Sequence, residues 1–328
     1  MQASRIGRAI LAGFAIALAT SLPVSAEDAS TAEQTIDVMN KLWGSHPGMR
    51  ANHAKGVVVE GNFMPAPEAA QMSKASLFQG APVPITVRFS DATGIPNLSD
   101  GSPSANPHGL AIKFKLADGS EMDVVVNTLK FFPVATGEEF LQLLTAISQS
   151  GPDTPHPTPL ERFAESHPAA KAAGAPTPSS LARQTYNGIN AFVFVDKDGK
   201  RQPFRYRFVP AAGEDILSAD EAAKRPPNFL MDEIVARLSK EPVVFRVLAQ
   251  LAEPSDPTND ATKPWPDDRR TIALGTLTLT KPVADSAAVE KELLFMPNNL
   301  TDGIEVSDDP LIDARVQAYA VSFGRRSQ

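Results

Sequence analysis

The stretch MRANHAKGVVVEGNF, from Met49 to Phe63, decides which fold this chain is expected to adopt. The residues after Lys55 are rich in β-branched side chains and predict a buried strand, whereas the residues before it predict a loop. The junction carries His53, one of only five histidines in the chain. An imidazole at such a junction is well placed for acid–base chemistry, although a lone histidine is more often a satisfied polar residue of the fold.

Strand-like alternation recurs along the chain and predicts a barrel. Eight such segments alternate apolar and polar residues or form short apolar runs, and two joins, at residues 117–120 and 196–201, have tight-turn sequences. Eight antiparallel strands predict a closed barrel, because closure leaves no exposed sheet edge. The eight segments are residues 54–63, 83–91, 109–117, 120–128, 189–197, 202–210, 241–254 and 270–282.

Helical segments complete an α+β fold. Residues 30–44 predict a helix before the first strand, residues 137–150 and 218–240 predict helical insertions between strands, and residues 310–326 predict a C-terminal helix. No repeat or low-complexity linker divides these elements, so residues 27–328 are expected to form a single domain.

The first 26 residues have the pattern of a secretory signal peptide. Arg5 and Arg8 precede a short apolar run, and small residues at Val24 and Ala26 predict cleavage after Ala26. An uncleaved membrane anchor is the alternative, but the apolar run is short for a membrane span. The expected location is the bacterial periplasm, with no membrane insertion after signal cleavage.

The composition of the chain excludes cysteine-based chemistry and argues against nucleic-acid binding. The chain contains no cysteine, which excludes disulfides, thiolate catalysis and thiolate ligation of a metal. Its formal net charge is −7, and an acidic chain without a basic patch is not expected to bind nucleic acid.

Three further positions carry candidate chemistry, each with an ordinary structural alternative. Arg315 lies one helical turn before Tyr319 and could hold a phenolate, a known axial ligand of haem iron, or could form an ordinary helix pair. Asn127 ends a strand just before Phe131 and Phe132, which could wall a flat apolar ligand or could belong to the core. Arg88 interrupts an apolar strand and would need an anion if it points inward.

The order of these residues along the chain indicates the function more strongly than any one of them does alone. The motifs R-x-x-H-A-K-G, R-F-S, H-G-x-A-x-K-F, V-N-T-x-x-F-F and R-x-x-x-Y occur in sequence from Arg50 to Tyr319. This arrangement resembles the catalase family of haem proteins, and most closely its short, exported catalase-related peroxidases. The resemblance implies haem b as cofactor and agrees with the predicted antiparallel barrel, whose C-terminal helix would carry the haem ligand.

The resemblance assigns roles to eight residues. It implies that His53 and Asn127 act on peroxide, that Ser90 hydrogen-bonds the histidine, and that Tyr319 is the axial ligand of the haem iron. The remaining residues would bind the cofactor: Arg50 and Arg88 at the propionates, Phe132 on the histidine side with Phe131 as its competitor, and Arg315 beside Tyr319.

The sequence also departs from the pattern of full-size catalases. Asn52 stands where an apolar residue is usual, and His108 stands where an arginine is usual. The C-terminal helical domain and the long N-terminal arm of those enzymes have no counterpart in this sequence.

We therefore expect a haem peroxidase that uses peroxide to oxidise a small organic donor, with minor catalase activity. The alternatives are a true catalase, a haem enzyme that rearranges fatty-acid hydroperoxides, and a non-enzymatic haem- or lipid-binding barrel. Homo-oligomer formation stays open.

Overall fold

The computed structural model describes residues 29–327, so the predicted signal peptide at residues 1–26 lies outside the described residues. The strands are β1 (Gly56–Pro65), β2 (Val83–Ser90), β3 (Gly109–Lys115), β4 (Glu121–Asn127), β5 (Tyr186–Asn187), β6 (Phe192–Val195), β7 (Arg201–Pro210), β8 (Val243–Leu251), β9 (Thr271–Pro282) and β10 (Ile304–Val306). The helices are α1 (Thr31–Trp43), α2 (Pro67–Met72), α3 (Gly137–Ser148), α4 (Pro159–Ser166), α5 (Pro168–Ala172), α6 (Ala219–Ala223), α7 (Phe229–Leu238), α8 (Ser286–Glu292) and α9 (Pro310–Arg326).

Eight of the strands close into an antiparallel barrel. The hydrogen-bonded order runs β7–β5–β4–β3–β2–β1–β9–β8, and β8 pairs again with β7. Strand β6 pairs with β7 beyond the short β5, and β10 extends the sheet beside β6. The predicted closed eight-stranded barrel is therefore confirmed.

One detail of the strand assignment is wrong. The sequence predicts that residues 189–197 form a strand of the ring, but the strand β6 in this segment pairs with β7 and β10 and makes no pairing with β4. The link from β4 is made by the two-residue strand β5, through the pairing of Asn127 with Asn187. A two-residue strand has too little sequence to show an alternation, so no pattern predicts it.

The alternation of the strands separates an apolar interior from an outer face that carries polar residues. Val87, Phe89 and Leu110 belong to the hydrophobic core, whereas the alternate residues Arg88 and Ser90 lie on the other face of the same sheet. Arg88 nevertheless is only 3% exposed, because helices cover this face. It is thus an outward-facing strand residue that is buried, a combination that the sequence did not predict.

A row of paired residues at one end of the barrel positions the polar side chains. Cross-strand pairing joins Gly56 to Ser90, Ser90 to Gly109, Gly109 to Asn127, and Asn127 to Asn187. We call these five residues the rim row. Because antiparallel neighbours bring the start of one strand beside the end of the next, residues far apart in sequence meet here.

The helices form a layer over the outer face of the barrel beside this row. The helix α1 begins with a capping box, in which the Ser30 side chain accepts from the Glu33 amide at 3.3 Å and Glu33 accepts from the Ser30 amide at 2.8 Å. Ile36 and Met39 of α1 pack with Leu144 of α3, and Val321 of α9 packs against the same cluster. The helices predicted at residues 30–44, 137–150 and 310–326 are confirmed, and the insertion at 218–240 forms two helices, α6 and α7.

No helix among residues 29–327 combines the length and the hydropathy that a membrane crossing requires.

We predict that Gly303→Ala destabilises the protein more than Gly199→Ala. Both glycines have positive φ, 99° and 81°, so alanine at either position costs about 1–2 kcal/mol of unfolding free energy from backbone strain. A Cβ at Gly303 would also lie 2.4 Å from the Ala75 amide nitrogen, whereas a Cβ at Gly199 meets open space. Overpacking raises the expected loss at Gly303 to about 3 kcal/mol or more. Urea unfolding of the two variants measures the difference, and equal losses would contradict the close approach.

Candidate active site

A cavity of about 960 Å³ lies between the barrel and the helical layer. Residues of the rim row line it together with side chains of α1, α3 and α9. The structure brings all eight residues that the sequence singled out to this one cavity: Arg50, His53, Arg88, Ser90, Asn127, Phe132, Arg315 and Tyr319. Phe131, the competitor of Phe132, is not among the residues that line it.

His53 is held by hydrogen bonds that fix its tautomer. Its Nδ1 lies 2.7 Å from the Asp91 carbonyl oxygen and 3.2 Å from the Ser90 Oγ. A carbonyl oxygen can only accept, so Nδ1 carries the proton and Nε2 of the neutral ring has a free lone pair. The backbone of His53 has φ of 57°, a left-handed conformation that is uncommon for a residue other than glycine and is concentrated at functional sites.

The surroundings of His53 keep the imidazole neutral. The pKa of His53 is lowered to about 4, mainly because the imidazole is buried and secondly because the charge of Arg88 is near. The hydrogen bond to the Asp91 carbonyl opposes both effects. A neutral ring with Nδ1 protonated is the form that accepts a proton at Nε2.

Gly109 of the rim row makes room for this arrangement. A Cβ on Gly109 would lie 2.6 Å from the Ser90 Oγ and 3.4 Å from the His53 Nδ1. The absence of a side chain at Gly109 therefore lets the serine and the histidine approach each other.

Asn127 presents its amide nitrogen to the cavity. Its Oδ1 accepts from the Leu129 amide at 2.9 Å, which assigns the oxygen to the backbone and leaves the Nδ2 donors for a ligand. Asn127 is thus a fixed, non-titrating donor that lines the same cavity as His53.

Phe132 and Phe140 give the cavity an aromatic wall. Their ring centroids are 5.4 Å apart with the planes inclined at 47°, and both line the cavity. Ile36, Met39 and Trp43 of α1 extend the apolar surface, so a flat apolar ligand would be desolvated on contact.

Tyr319 on α9 receives two hydrogen bonds from one cation. Arg315 donates to the Tyr319 hydroxyl from Nε at 3.3 Å and from Nη2 at 3.2 Å. Arg315 is in turn held by the Asn190 Oδ1, and the Asn190 Nδ2 donates to the Asp309 Oδ2 at 2.8 Å. The phenol oxygen is thereby oriented by a chain of side chains that ends on the N-cap of α9.

Three guanidinium groups and one carboxylate form a cationic cluster at the cavity wall. Glu290 of α8 accepts from Arg88 Nε at 2.7 Å and lies 3.5 Å from Arg50 Nη1. Arg326 joins Arg50 by donating to the same Leu293 carbonyl. Burial lowers the pKa of Arg50 to about 8, and Arg88 and Arg326 act in the same direction while Glu290 opposes them. The cluster keeps an excess of positive charge after Glu290 is counted.

These features fit a haem group. The buried Nε of Arg326 has no hydrogen-bond partner among the described residues, and a cationic cluster with one carboxylate favours a ligand that carries further carboxylates. No group of three or more His, Cys, Asp or Glu side chains within residues 29–327 could hold a bare metal ion. A single tyrosine ligand suits an iron whose other ligands come from a porphyrin.

The sequence did not predict several residues of this site. Glu290 and Arg326 lie outside the motifs and approach Arg50 only through the packing of α8 and α9. Asn190 contacts Arg315 across 125 positions of sequence, a separation that no local pattern reveals. Asn52, which the sequence did single out as a departure from the family pattern, lines the cavity, and its Oδ1 accepts from the His53 amide at 2.9 Å and so supports the loop.

We predict that His53 stays neutral down to mildly acidic pH. Its folded-state pKa of about 4 lies below the ordinary value of 6.5, so the unfolded chain binds more protons between these limits. His53 therefore contributes to the stability of the fold above pH 6.5, and this contribution is lost as the pH falls toward about 4. Nitrogen-15 NMR of labelled histidine, assigned with His53→Gln, should show Nδ1 protonated and Nε2 unprotonated at pH of about 6. A half-protonated His53 at that pH would contradict the prediction.

Comparison with known proteins places the chain among relatives of the same architecture. The family model described as Catalase matches residues 33–326. The chain is 36% identical over 302 residues to a catalase-related peroxidase of Mycolicibacterium paratuberculosis, covering 90% of this chain and 95% of the relative. It is 33% identical to a catalase-related peroxidase of Synechococcus elongatus, covering 91% and 89% of the two chains.

Solved structures share the fold at lower sequence identity. A bacterial catalase superposes with a TM-score of 0.74 at 23% identity, covering 86% of this chain and 58% of its own. Catalase A from Saccharomyces cerevisiae superposes with a TM-score of 0.75 at 18% identity, covering 86% and 62%. The family match, the extent of the similarity to both peroxidases and the shared barrel show that this chain belongs to the catalase family.

Proposed function

We propose that this protein is a haem peroxidase that uses hydrogen peroxide or an organic peroxide to oxidise small organic donors, with minor catalase activity. Its membership of the catalase family makes it an oxidoreductase that acts on peroxide. One observation supports the proposal most: the free lone pair of His53 Nε2 and the Arg315-bound hydroxyl of Tyr319 belong to residues that line one cavity.

The cofactor would be held by this chain's own groups. Tyr319 would ligate the iron, Arg50, Arg88 and Arg326 would neutralise the propionates, and Phe132 would contact the ring. When bound, haem supplies the iron that exchanges electrons with peroxide and with the donor.

His53 and Asn127 would divide the handling of peroxide between them. A peroxide must lose a proton from one oxygen and gain one on the other before its O–O bond can break. Nε2 of neutral His53 can accept that proton and return it, while Nδ1 stays bound to the Asp91 carbonyl. The Asn127 amide, fixed by Leu129, can donate to the peroxide and orient it without changing its own charge.

A carrier that only stores haem or lipid is the main alternative from another class. Such a carrier has no use for a histidine held as a proton acceptor in a strained backbone conformation. An optical spectrum of the purified protein tests the haem proposal first: a Soret band supports it, and a protein that shows none after incubation with haem would overturn it.

Tyr319→Phe is expected to lose or badly weaken haem binding, because the variant removes the oxygen that would ligate the iron and keeps the ring. Haem titration of the purified variant followed by absorbance measures the effect, with Tyr206→Phe as a control for loss of a buried hydroxyl away from the cavity. Wild-type haem loading with an unchanged spectrum in Tyr319→Phe would exclude the assignment.

His53→Ala is expected to keep haem and to slow the first spectral change after mixing with peroxide. Loss of one acid–base group typically costs ~10²–10⁴-fold in rate. Asn127→Ala should cost less, since Asn127 orients the peroxide and carries no proton. His156→Ala serves as the control, because this histidine is exposed and remote from the cavity. Stopped-flow rates that are the same in His53→Ala and wild type would remove His53 from the mechanism.

Oxidation of organic donors is expected to exceed dismutation of hydrogen peroxide. Leu143, Leu144 and Ile147 of α3 also line the cavity, and these apolar side chains suit organic molecules better than they suit peroxide. Parallel assays of oxygen release and of phenol oxidation on one preparation measure the ratio. Oxygen release with kcat/KM near ~10⁸ M⁻¹s⁻¹, or failure to oxidise any organic donor, would contradict the prediction.

A further inference from the structure

Asp91 and His108 form a buried pair behind His53 that the proposed function does not use. Both side chains are completely buried, and neither lines the cavity. Asp91 Oδ1 lies 3.6 Å from His108 Nε2. These two atoms and Asp91 Oδ2 have no hydrogen-bond partner among the described residues. Unsatisfied polar atoms of this kind are rare in protein interiors, so the pair, called here the buried dyad, requires an explanation.

The hydrogen bonds of His108 assign its tautomer. The Tyr186 hydroxyl donates to the Leu181 carbonyl at 2.9 Å and therefore accepts from Gln184 Nε2 at 2.8 Å. The Gln184 Oε1 consequently faces His108 Nδ1, at 3.3 Å. Since the amide oxygen can only accept, His108 Nδ1 carries a proton and a neutral His108 presents a lone pair at Nε2 toward Asp91.

Lys55 donates no hydrogen bond to Asp91, although its Nζ lies 4.0 Å from Asp91 Oδ2 and its charge favours the ionised form of Asp91. Lys55 has three N–H donors, and all three are accepted elsewhere: by the Leu98 carbonyl at 2.7 Å, by the Pro227 carbonyl at 2.9 Å and by Asp100 Oδ1. Asp100 is itself the ion-pair partner of Lys55. An ionised Asp91 would thus be a buried charge without a hydrogen-bond donor, which is strongly unfavourable.

Two facing acceptors at 3.6 Å need one proton between them. The proton can reside on Asp91, giving a neutral acid and a neutral imidazole, or on His108, giving a buried ion pair. Burial raises the pKa of Asp91, the charge and the hydrogen bonding of Asp100 raise it further, and the charges of Lys55 and Arg88 oppose this rise without cancelling it. Burial lowers the pKa of His108 to about 4. Both shifts favour the neutral arrangement, with the proton on Asp91.

We propose that Asp91 is protonated in the folded protein and donates to His108 Nε2, and that this buried dyad positions the carbonyl that holds the His53 tautomer. Asp91 would then act twice. Its main-chain carbonyl accepts from His53 Nδ1 at 2.7 Å, and its side-chain proton anchors the same residue to the start of β3. Asp91 and His108 are positioning residues in this proposal, because they act on peroxide only through His53.

The dyad also makes the stability of the fold depend on pH across the acidic and neutral range. Because the pKa of Asp91 is raised on folding, the folded protein holds a proton that the unfolded chain has released, and stability falls as the pH rises toward the folded-state pKa. The charged and titratable groups that act on Asp91 come from the surrounding loops and strands and are His53, Lys55, Arg88, Asp100, His108 and Tyr186.

Infrared spectroscopy of the purified protein tests the protonation of Asp91. With carbon-13-labelled aspartate, the wild type should show at neutral pH the C=O stretch of a protonated carboxyl group that shifts with the label. Asp91→Asn should lose this band. Asp123→Asn is the matched control, since Asp123 is equally buried but lies 2.8 Å from Lys113 Nζ as an ion pair, and it should leave the band in place.

A second variant keeps the test decisive if Asp91→Asn fails to fold. His108→Gln changes the acceptor of the proton and should shift the frequency of the band without abolishing it. A wild type with no protonated aspartate at neutral pH, or a band that neither Asp91→Asn nor His108→Gln changes, would overturn the proposal. These measurements use no peroxide, so their outcome is independent of the proposed activity.

The positioning role has its own readout in the tautomer of His53. Asp91→Asn keeps an N–H donor toward His108, whereas Asp91→Ala removes it. Nitrogen-15 NMR should show His53 protonated at Nδ1 in wild type and Asp91→Asn, with a gain of the Nε2-protonated form in Asp91→Ala. An unchanged His53 in Asp91→Ala would show that the side chain of Asp91 does not position it.

Discussion

The hydrogen bond from His53 Nδ1 to the Asp91 carbonyl, at 2.7 Å, is the interaction on which the organisation of the site depends. It joins the loop before β1 to the loop after β2, and it decides which nitrogen of the imidazole can act as a base. The antiparallel rim row makes this contact available, because the pairing of Gly56 with Ser90 brings the start of β1 beside the end of β2. A protein that closes its barrel in another register would separate the histidine from the carbonyl, and Nε2 would lose its assigned role.

Arg88 shows how one buried charge can have several structural roles. Arg88, which is nearly inaccessible to solvent, is committed to Glu290 at 2.7 Å and to the carbonyls of His53 and Ala54. The guanidinium of Arg88 therefore anchors the loop that carries His53, and its charge also helps to keep the imidazole neutral. One buried cation on the outer face of β2 thus supports both the loop structure and the neutral state of His53.

The sequence predicted the barrel well, because long strands with a period of two leave a clear pattern. The prediction missed the shortest strands. β5 and β10 contain two and three residues, which is too few to show an alternation. Ser90 and Asn127 could be predicted because they end strands, and Arg315 and Tyr319 because they lie one helical turn apart, whereas the other four site residues depended on the order of the motifs along the chain. Glu290, Arg326 and Asn190 could not be predicted in the same way, since each contacts the site through packing between distant elements and carries no local signal.

Buried carboxyl groups lie on both sides of the site, and neither carboxyl group contacts the reacting side chain that it supports. On the α9 side, Asp309 accepts from Asn190, and Asn190 in turn accepts from the arginine that holds Tyr319. On the barrel side, Asp91 faces neutral His108 while its carbonyl holds His53. A direct ion pair at either place would bring a full opposite charge next to the reacting groups, where low dielectric strengthens its effect. The Asn190 amide on one side and the Asp91 main-chain carbonyl on the other transmit orientation without a full charge, so that geometry is held while the electrostatics of the cavity are set by the arginines that face it.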